Sequence, residues 1–231
     1  MCYKNIKMSN KIQSLDSWGC ITNANINEKI ERTTKYKQAL LLMVNDVQQI
    51  LVEYQKQNNL FRYFLMDGSL LGAYRTGKMI EHDYDFDFGI YFDNNEKLTE
   101  LYEFIKSKLP NYNINYECKL LNTYSHKIEV FNPSYGTHSD VADDFYNCIM
   151  DLQLYMEDSN DDSIIRIQYF KDNYNMRCNF QKEWFFPLST IPFENYEYPC
   201  ANNPEKVLTE IYGFIGTNAV FDMETCKYIP K

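Results

Sequence analysis

The chain has 231 residues, of which 32 are acidic and 23 basic, giving a formal net charge of −9. That balance argues against a nucleic-acid or anionic-membrane surface as the main partner. Hydrophobic residues make up 45% of the chain and aromatics 16%, enough for a sizeable core, while only 8 glycines point to long regular elements rather than a loop-rich scaffold.

In chain order, residues 1–26 are polar and read as an N-terminal arm, and residues 27–231 read as a single domain. From Asn27 to Asn58 apolar residues recur at helical spacing (Ala39, Leu40, Met43, Val47, Ile50, Leu51, Tyr54), which predicts a long amphipathic helix. "RYFLMD" (62–67) reads as a buried strand, and "SLLGAYR" (69–75) as a short helix opened by a Gly68-Ser69 turn. "YDFDFGIYF" (84–92) alternates with a period of two and reads as a strand. "DNNEKLTELYEFIKSKL" (93–109) starts with an Asx cap and continues as a helix that Pro110 ends. Segments 112–121, 125–131, 147–157 and 163–170 predict further strands, separated by turns such as "NPSYG" and "DSNDD". "EWFFPLSTIPFENYEYP" is rich in Pro and aromatics and reads as an ordered, packed surface segment. Segment 203–213 reads as a helix with Pro204 in its first turn and Gly213 as its stop. The fold class is α+β, with a strand–helix–strand nucleus over 62–108.

The seven cysteines are scattered, odd in number and form no CxxC pair, so they read as reduced thiols rather than as disulfides or a zinc site. The opening "MCYKNIKMSNKIQ" lacks a signal-peptide core and no apolar run approaches a membrane span. A soluble, cytoplasmic protein is therefore expected.

The chemistry concentrates in "DGSLLGAYRTGKMIEHDYDFDFGIYF" (67–92). On a strand, Asp83, Asp85 and Asp87 share one face and Tyr84, Phe86 and Phe88 the other. Carboxylates this close repel, and two physical remedies exist: raised pKa values for some of them, or a bound divalent cation. Mg²⁺ or Mn²⁺ suits an all-oxygen site that also binds phosphate. Two carboxylates at i and i+2 can bridge a pair of such ions for in-line attack at phosphorus. A Gly-Ser turn at a helix start offers N–H groups and a hydroxyl to a phosphate, and Arg75 could neutralise a phosphate oxygen. An alternating-charge strand alone is weak support, since exposed strand faces often carry such charges.

The string "DGSLLGAYR…HDYDFDFGI" resembles the LicD / fukutin-related family. That family pairs a Gly-[Ser/Thr/Ala]-Leu-Leu-Gly-x-x-Arg turn and helix with an aspartate-rich strand. "IMDLQLY" (149–155) is similar to a later family strand that delivers another aspartate, here Asp151, and 183–213 is similar to the family's C-terminal block. Where the family has Trp before the first aspartate, this chain has His82.

The resemblance implies a nucleotidyltransferase (polymerase-beta-like) fold with a mixed sheet and flanking helices. It also implies a transferase that moves a phospho-alcohol (phosphocholine, ribitol phosphate or glycerol phosphate) from a CDP-linked donor to a hydroxyl of a glycan or related acceptor, releasing CMP. Carried over, Asp85, Asp87 and Asp151 are the catalytic and metal-binding residues for Mg²⁺ or Mn²⁺, with two ions expected. Asp83 backs them, and Gly68, Ser69 and Arg75 bind phosphate. The alternatives are nucleotidyl transfer from an NTP, a metal-dependent glycosyltransferase, and a non-catalytic module of the same fold. Lys127 could reach a phosphate from strand 125–131; His82, His126 and His138 receive no role.

Overall fold

The structure, a computed structural model, describes residues 14–15, 20–21, 26–92, 96–121, 126–140, 143–168, 179–222 and 227–231. A short antiparallel pair, β1 (Ser14–Leu15) and β2 (Cys20–Ile21), precedes the 32-residue helix α1 (Ile26–Gln57). The helical repeat of α1 buries Leu40, Met43, Val44, Val47, Ile50, Leu51 and Tyr54, as the apolar stripe predicts. β3 (Arg62–Leu65), α2 (Asp67–Thr76), β4 (Asp85–Tyr91) and α3 (Glu96–Lys108) complete the predicted nucleus. The Asx cap expected at 93 lies outside the described residues.

Next come β5 (Glu117–Leu121) and β6 (Lys127–Phe131), the hairpin β7 (Thr137–Asp140) and β8 (Asp143–Tyr146), then β9 (Ile149–Asp158) and β10 (Asp161–Ile167). The strand expected from 112 starts only at Glu117, because a 3₁₀ turn at Leu109–Asn111 consumes the residues around Pro110. β11 (Phe180–Gln181), α4 (Lys182–Phe185) and the hairpin β12 (Ser189–Phe193) and β13 (Tyr196–Cys200) fold the Pro- and aromatic-rich segment onto the core. α5 (Pro204–Tyr212), capped by the Asn203 side chain accepting from the Lys206 N–H, leads to the hairpin β14 (Ala219–Asp222) and β15 (Lys227–Pro230).

β9 organises a mixed, curled sheet. Its residues 149–155 pair in parallel with β4, while its other edge pairs antiparallel with β6 over 149–153 and with β10 beyond. β3 flanks β4 on the far side, β11 flanks β10, and β5 flanks β6.

The two faces of β4 have opposite chemistry. Phe86, Phe88 and Ile90 are fully buried, and the Phe86 and Phe88 rings meet Tyr198 at 5.7 and 5.8 Å. On the other face Gly89 leaves room for the Phe64 ring, which a Cβ would meet at 2.3 Å, and Tyr91 meets Phe186 at 5.0 Å. Aromatics thus close the far end of that face, and the carboxylates of Asp85 and Asp87 stand at its open end. Among the described residues no helix is long and apolar enough to cross a membrane.

Candidate active site

Strand register assembles the acidic cluster. Asp87 lies beside Asp151 across the parallel β4–β9 pair, and Asp151 lies beside Glu129 across the antiparallel β6–β9 pair. Three carboxylate residues thus share one face of three adjacent strands, with neighbouring backbones about 5 Å apart, the inter-strand spacing. Asp85, one step up β4, joins from the same face.

The turn before α2 fixes Asp87 from its backbone. The Met66 N–H donates to the Asp87 carbonyl at 3.2 Å, and the Asp87 N–H donates to Ser69 Oγ at 2.9 Å. Asp67, between them, has a φ of 45°, a left-handed conformation uncommon outside glycine, and is 8% exposed.

Asp83 does not extend the strand face as expected. β4 starts at Asp85, because Asp83 closes a turn whose N–H donates to the Ile80 carbonyl, and Thr33 Oγ1 on α1 holds the Asp83 carbonyl at 2.8 Å. Its carboxylate instead lies against Gly68, where a Cβ would sit 2.3 Å from Oδ2. Gly68 is thus a glycine that admits a carboxylate.

The electrostatics match this crowding. Burial, then the charges of Asp85 and Asp151, push the Asp67 carboxyl up from 3.8 to about 7. Burial also raises Asp87 well above the ordinary range, reinforced by Asp85, Asp67, Asp83 and Asp151. A cation stands beside Asp151 and Glu129. Lys127 Nζ lies 2.6 Å from Asp151 Oδ2 and 2.9 Å from Glu129 Oε1. Burial alone would lower its pKa, but Asp151 and Glu129 outweigh that and hold it above the ordinary lysine value.

Among the described residues no three His, Cys, Asp or Glu side chains stand as a ready-made metal cage. The donor chemistry nevertheless fits a hard divalent ion: it is all oxygen, it is mutually repelling, and the buried Asp151 Oδ1 has no hydrogen-bond partner among the described residues.

The structure therefore brings together Asp85, Asp87 and Asp151, with Gly68 and Ser69 beside them. Arg75 is engaged elsewhere: its Nε donates to the Ile215 carbonyl at 2.8 Å and its Nη2 to the Gly216 carbonyl at 2.9 Å. Sequence reasoning overlooked Asp67 and Glu129 and gave Lys127 no firm place. The signals were a carboxylate directly before Gly68-Ser69, and polar Lys127 and Glu129 alternating with buried Ile128 and Val130.

No curated protein matches the chain. Residues 59–203 match the family model described as LicD/FKTN/FKRP, nucleotidyltransferase domain, and the chain belongs to that family.

Proposed function

We propose that this chain is a metal-dependent transferase of nucleotidyltransferase type. It moves a phospho-alcohol from a CDP-activated donor to a hydroxyl of a glycan or related acceptor and releases CMP. Family membership supports the transferase class. The observation that carries the site is the β4–β9 register, which sets Asp87 beside Asp151 with Asp85 on the same face.

Asp85, Asp87 and Asp151 would hold the divalent cation. When bound, that ion neutralises the donor's diphosphate and polarises it toward attack. Each of the chain's own groups has a task around it. Ser69 accepts from the Asp87 N–H and keeps its own hydrogen as a donor toward a phosphate oxygen. The first-turn N–H groups of α2 face the same oxygen, with Gly68 allowing close approach. Asp151 is held in place through Oδ2 by Lys127, and one carboxylate of the cluster takes the acceptor's proton. Arg75 supports the region around 215–216 rather than the phosphate.

The deciding experiment is a thermal-shift panel of CDP-choline, CDP-ribitol, CDP-glycerol, NTPs and UDP-sugars with and without Mg²⁺ or Mn²⁺, followed by an assay for CMP release. Metal-dependent stabilisation by a CDP-alcohol that disappears in Asp85→Ala and Asp87→Ala supports the reading. Stabilisation by NTPs or UDP-sugars alone overturns it.

A further inference from the structure

The acidic face does not end at β9, because strand register carries it across β6 to β5. One row of residues runs Asp87, Asp151, Glu129, Lys119, and the neighbouring row runs Asp85, Ile149, Phe131, Glu117. Directly opposed residues share a face, so Lys119 and Phe131 stand on the side that carries the carboxylates. The alternate residues Cys118 and Leu120 pack against the core on the other side. Phe131 is fully buried, and the Tyr146 ring from the β7–β8 hairpin lies on it with 4.0 Å between ring centres and 12° between planes. Lys119 Nζ is 4.7 Å from the centre of the Phe131 ring and 4.9 Å from that of Tyr146, and it donates to the Tyr146 hydroxyl at 3.4 Å. Near-equal distances to two stacked rings put the ammonium beside the stack rather than on its outer face.

Lys119 differs from Lys127 in its partners. Glu129, directly across from Lys119 in the register, is turned to Lys127 at 2.9 Å, and among the described residues Lys119 has no carboxylate partner. Lys119 is exposed and Tyr146 half-buried. One sheet face thus carries an ammonium and an aromatic wall two strands from Asp151, roughly 10 Å at the inter-strand spacing. In-line displacement at phosphorus puts the attacking oxygen opposite the leaving one. The start of α2, where Ser69 accepts from the Asp87 N–H, flanks the cluster from the β4 side and holds the donor's phosphate there. The attacking hydroxyl then reaches phosphorus from over β9 and β6, the side on which Lys119 and Tyr146 stand.

We infer that Lys119 and Tyr146 form the acceptor subsite, and that the acceptor is a glycan bearing an anionic group. The Tyr146 ring takes the apolar face of a sugar and its hydroxyl a polar edge, while the Lys119 ammonium pairs with the anion. This rests on the transferase reading above and names the acceptor class and the residues that select it. In the step itself the acceptor oxygen bonds to the alcohol-bearing phosphorus of the donor. The bond from that phosphorus to the bridging oxygen breaks, CMP leaves with the electron pair, and the hydroxyl's proton passes to a carboxylate of the cluster. Lys119 and Tyr146 hold the acceptor and touch none of the reacting atoms.

The test is binding of the full chain, with Mn²⁺ and CDP present so that no turnover occurs, to arrayed neutral, uronate-bearing and phosphorylated oligosaccharides. Wild type is expected to bind anionic oligosaccharides over neutral ones, and the arm that binds identifies the anion. Tyr146→Ala is expected to weaken binding about tenfold, and Lys119→Gln to weaken it about tenfold for anionic oligosaccharides alone, with Lys119→Arg restoring it. Every variant should keep the metal-dependent thermal shift with CDP, which reports a folded chain and an intact donor side. Lys119 is exposed, so its variants keep the test open even if Tyr146→Ala fails to fold. Anionic-glycan binding unchanged in Lys119→Gln overturns the inference, and so does a wild type that binds no glycan, or neutral glycans alone, while CDP still shifts it. A wild type with no metal-dependent shift from CDP or any CDP-alcohol overturns the transferase reading and this subsite with it, so the two failures are distinguishable.

Discussion

Ser69 Oγ accepts the backbone N–H of Asp87 at 2.9 Å, so the start of α2 and the acidic strand β4 are joined at the residue that carries the most crowded carboxylate. Ser69 is 3% exposed, and no water can replace its hydroxyl without a rearrangement. Ser69→Ala leaves the Asp87 N–H unpaired and is expected to cost about 1–3 kcal/mol in urea unfolding. It should also weaken Mn²⁺ binding, because Asp87 loses its anchor. Unchanged stability would show that the bond contributes nothing.

Gly68 separates two explanations of its own presence. If it is a glycine only to admit the Asp83 carboxylate, Gly68→Ala displaces a movable side-chain end and the fold survives. If phosphate also approaches there, the added methyl blocks it whatever occupies position 83. Donor affinity in Gly68→Ala is expected to fall about tenfold, roughly 1.4 kcal/mol. A Gly68→Ala/Asp83→Ala double mutant should retain most of that loss, and a cycle measured by calorimetry isolates the difference. Full recovery in the double mutant would assign Gly68 to Asp83 alone.

Asp67 makes stability depend on pH in an unusual direction. Its folded pKa of about 7 exceeds the ordinary 3.8, so the folded state favours its protonated form. That contribution is fully present below about pH 4 and is lost as pH rises through about 7, because ionisation then occurs inside a crowded, buried cluster. Asp67→Asn keeps the shape without the charge. Without metal it should match wild type near pH 4 and exceed it by up to about 4 kcal/mol above pH 7. Chemical denaturation across that range checks it, and a gap that narrows as pH rises contradicts the sign. A divalent ion should shrink the gap by favouring the ionised form.

How much of this was legible in the sequence depended on distance along the chain. The alternation of Asp85 and Asp87 with Phe86 and Phe88 reports its own strand and both of its faces. Asp151 stands out as a charge within the apolar run "IMDLQLY", and Asn203, Pro204 and Gly213 punctuate α5. Lys127 and Glu129 were obscure because their meaning depends on the β6–β9 register, a long-range pairing that no local pattern encodes. The left-handed φ at Asp67 was hidden for a related reason, since only tertiary packing sustains it. The segment that forms the β12–β13 hairpin reads in sequence only as ordered and packed, and its strands carry Pro192 and Pro199. In a two-stranded sheet every outer edge is free, so prolines are tolerated there.

Gly89 tests whether the covered end of the acidic face is as tight as it looks. A Cβ at this position would lie 2.3 Å from the Phe64 ring and 2.9 Å from Met66, and neither can withdraw from a buried site. Gly89→Ala is expected to destabilise by about 1–3 kcal/mol through overpacking. The same variant paired with Phe64→Leu should recover part of the loss, measured by thermal unfolding. Tolerance of the single change would mean that β3 and β4 slide more freely than their register suggests.

Arg75 is the residue whose expected role and observed position diverge most. It lies in the last turn of α2, yet its guanidinium reaches 140 residues along the chain to the carbonyls of Ile215 and Gly216. Both carbonyls lie beyond the family-matched segment, which ends at residue 203. Two forked N–H bonds to backbone suit arginine and not lysine, whose single ammonium cannot span both acceptors in that geometry. Burial lowers the Arg75 pKa, but an arginine stays charged through the neutral range, so no pH switch follows. Arg75→Lys is therefore expected to loosen residues 213–216 locally, seen as faster amide exchange there and a cost of about 1–3 kcal/mol. The KM for the donor should stay within about twofold, well under 1 kcal/mol. A large rise in KM with unchanged exchange would return Arg75 to the phosphate, as its place in the motif first implied.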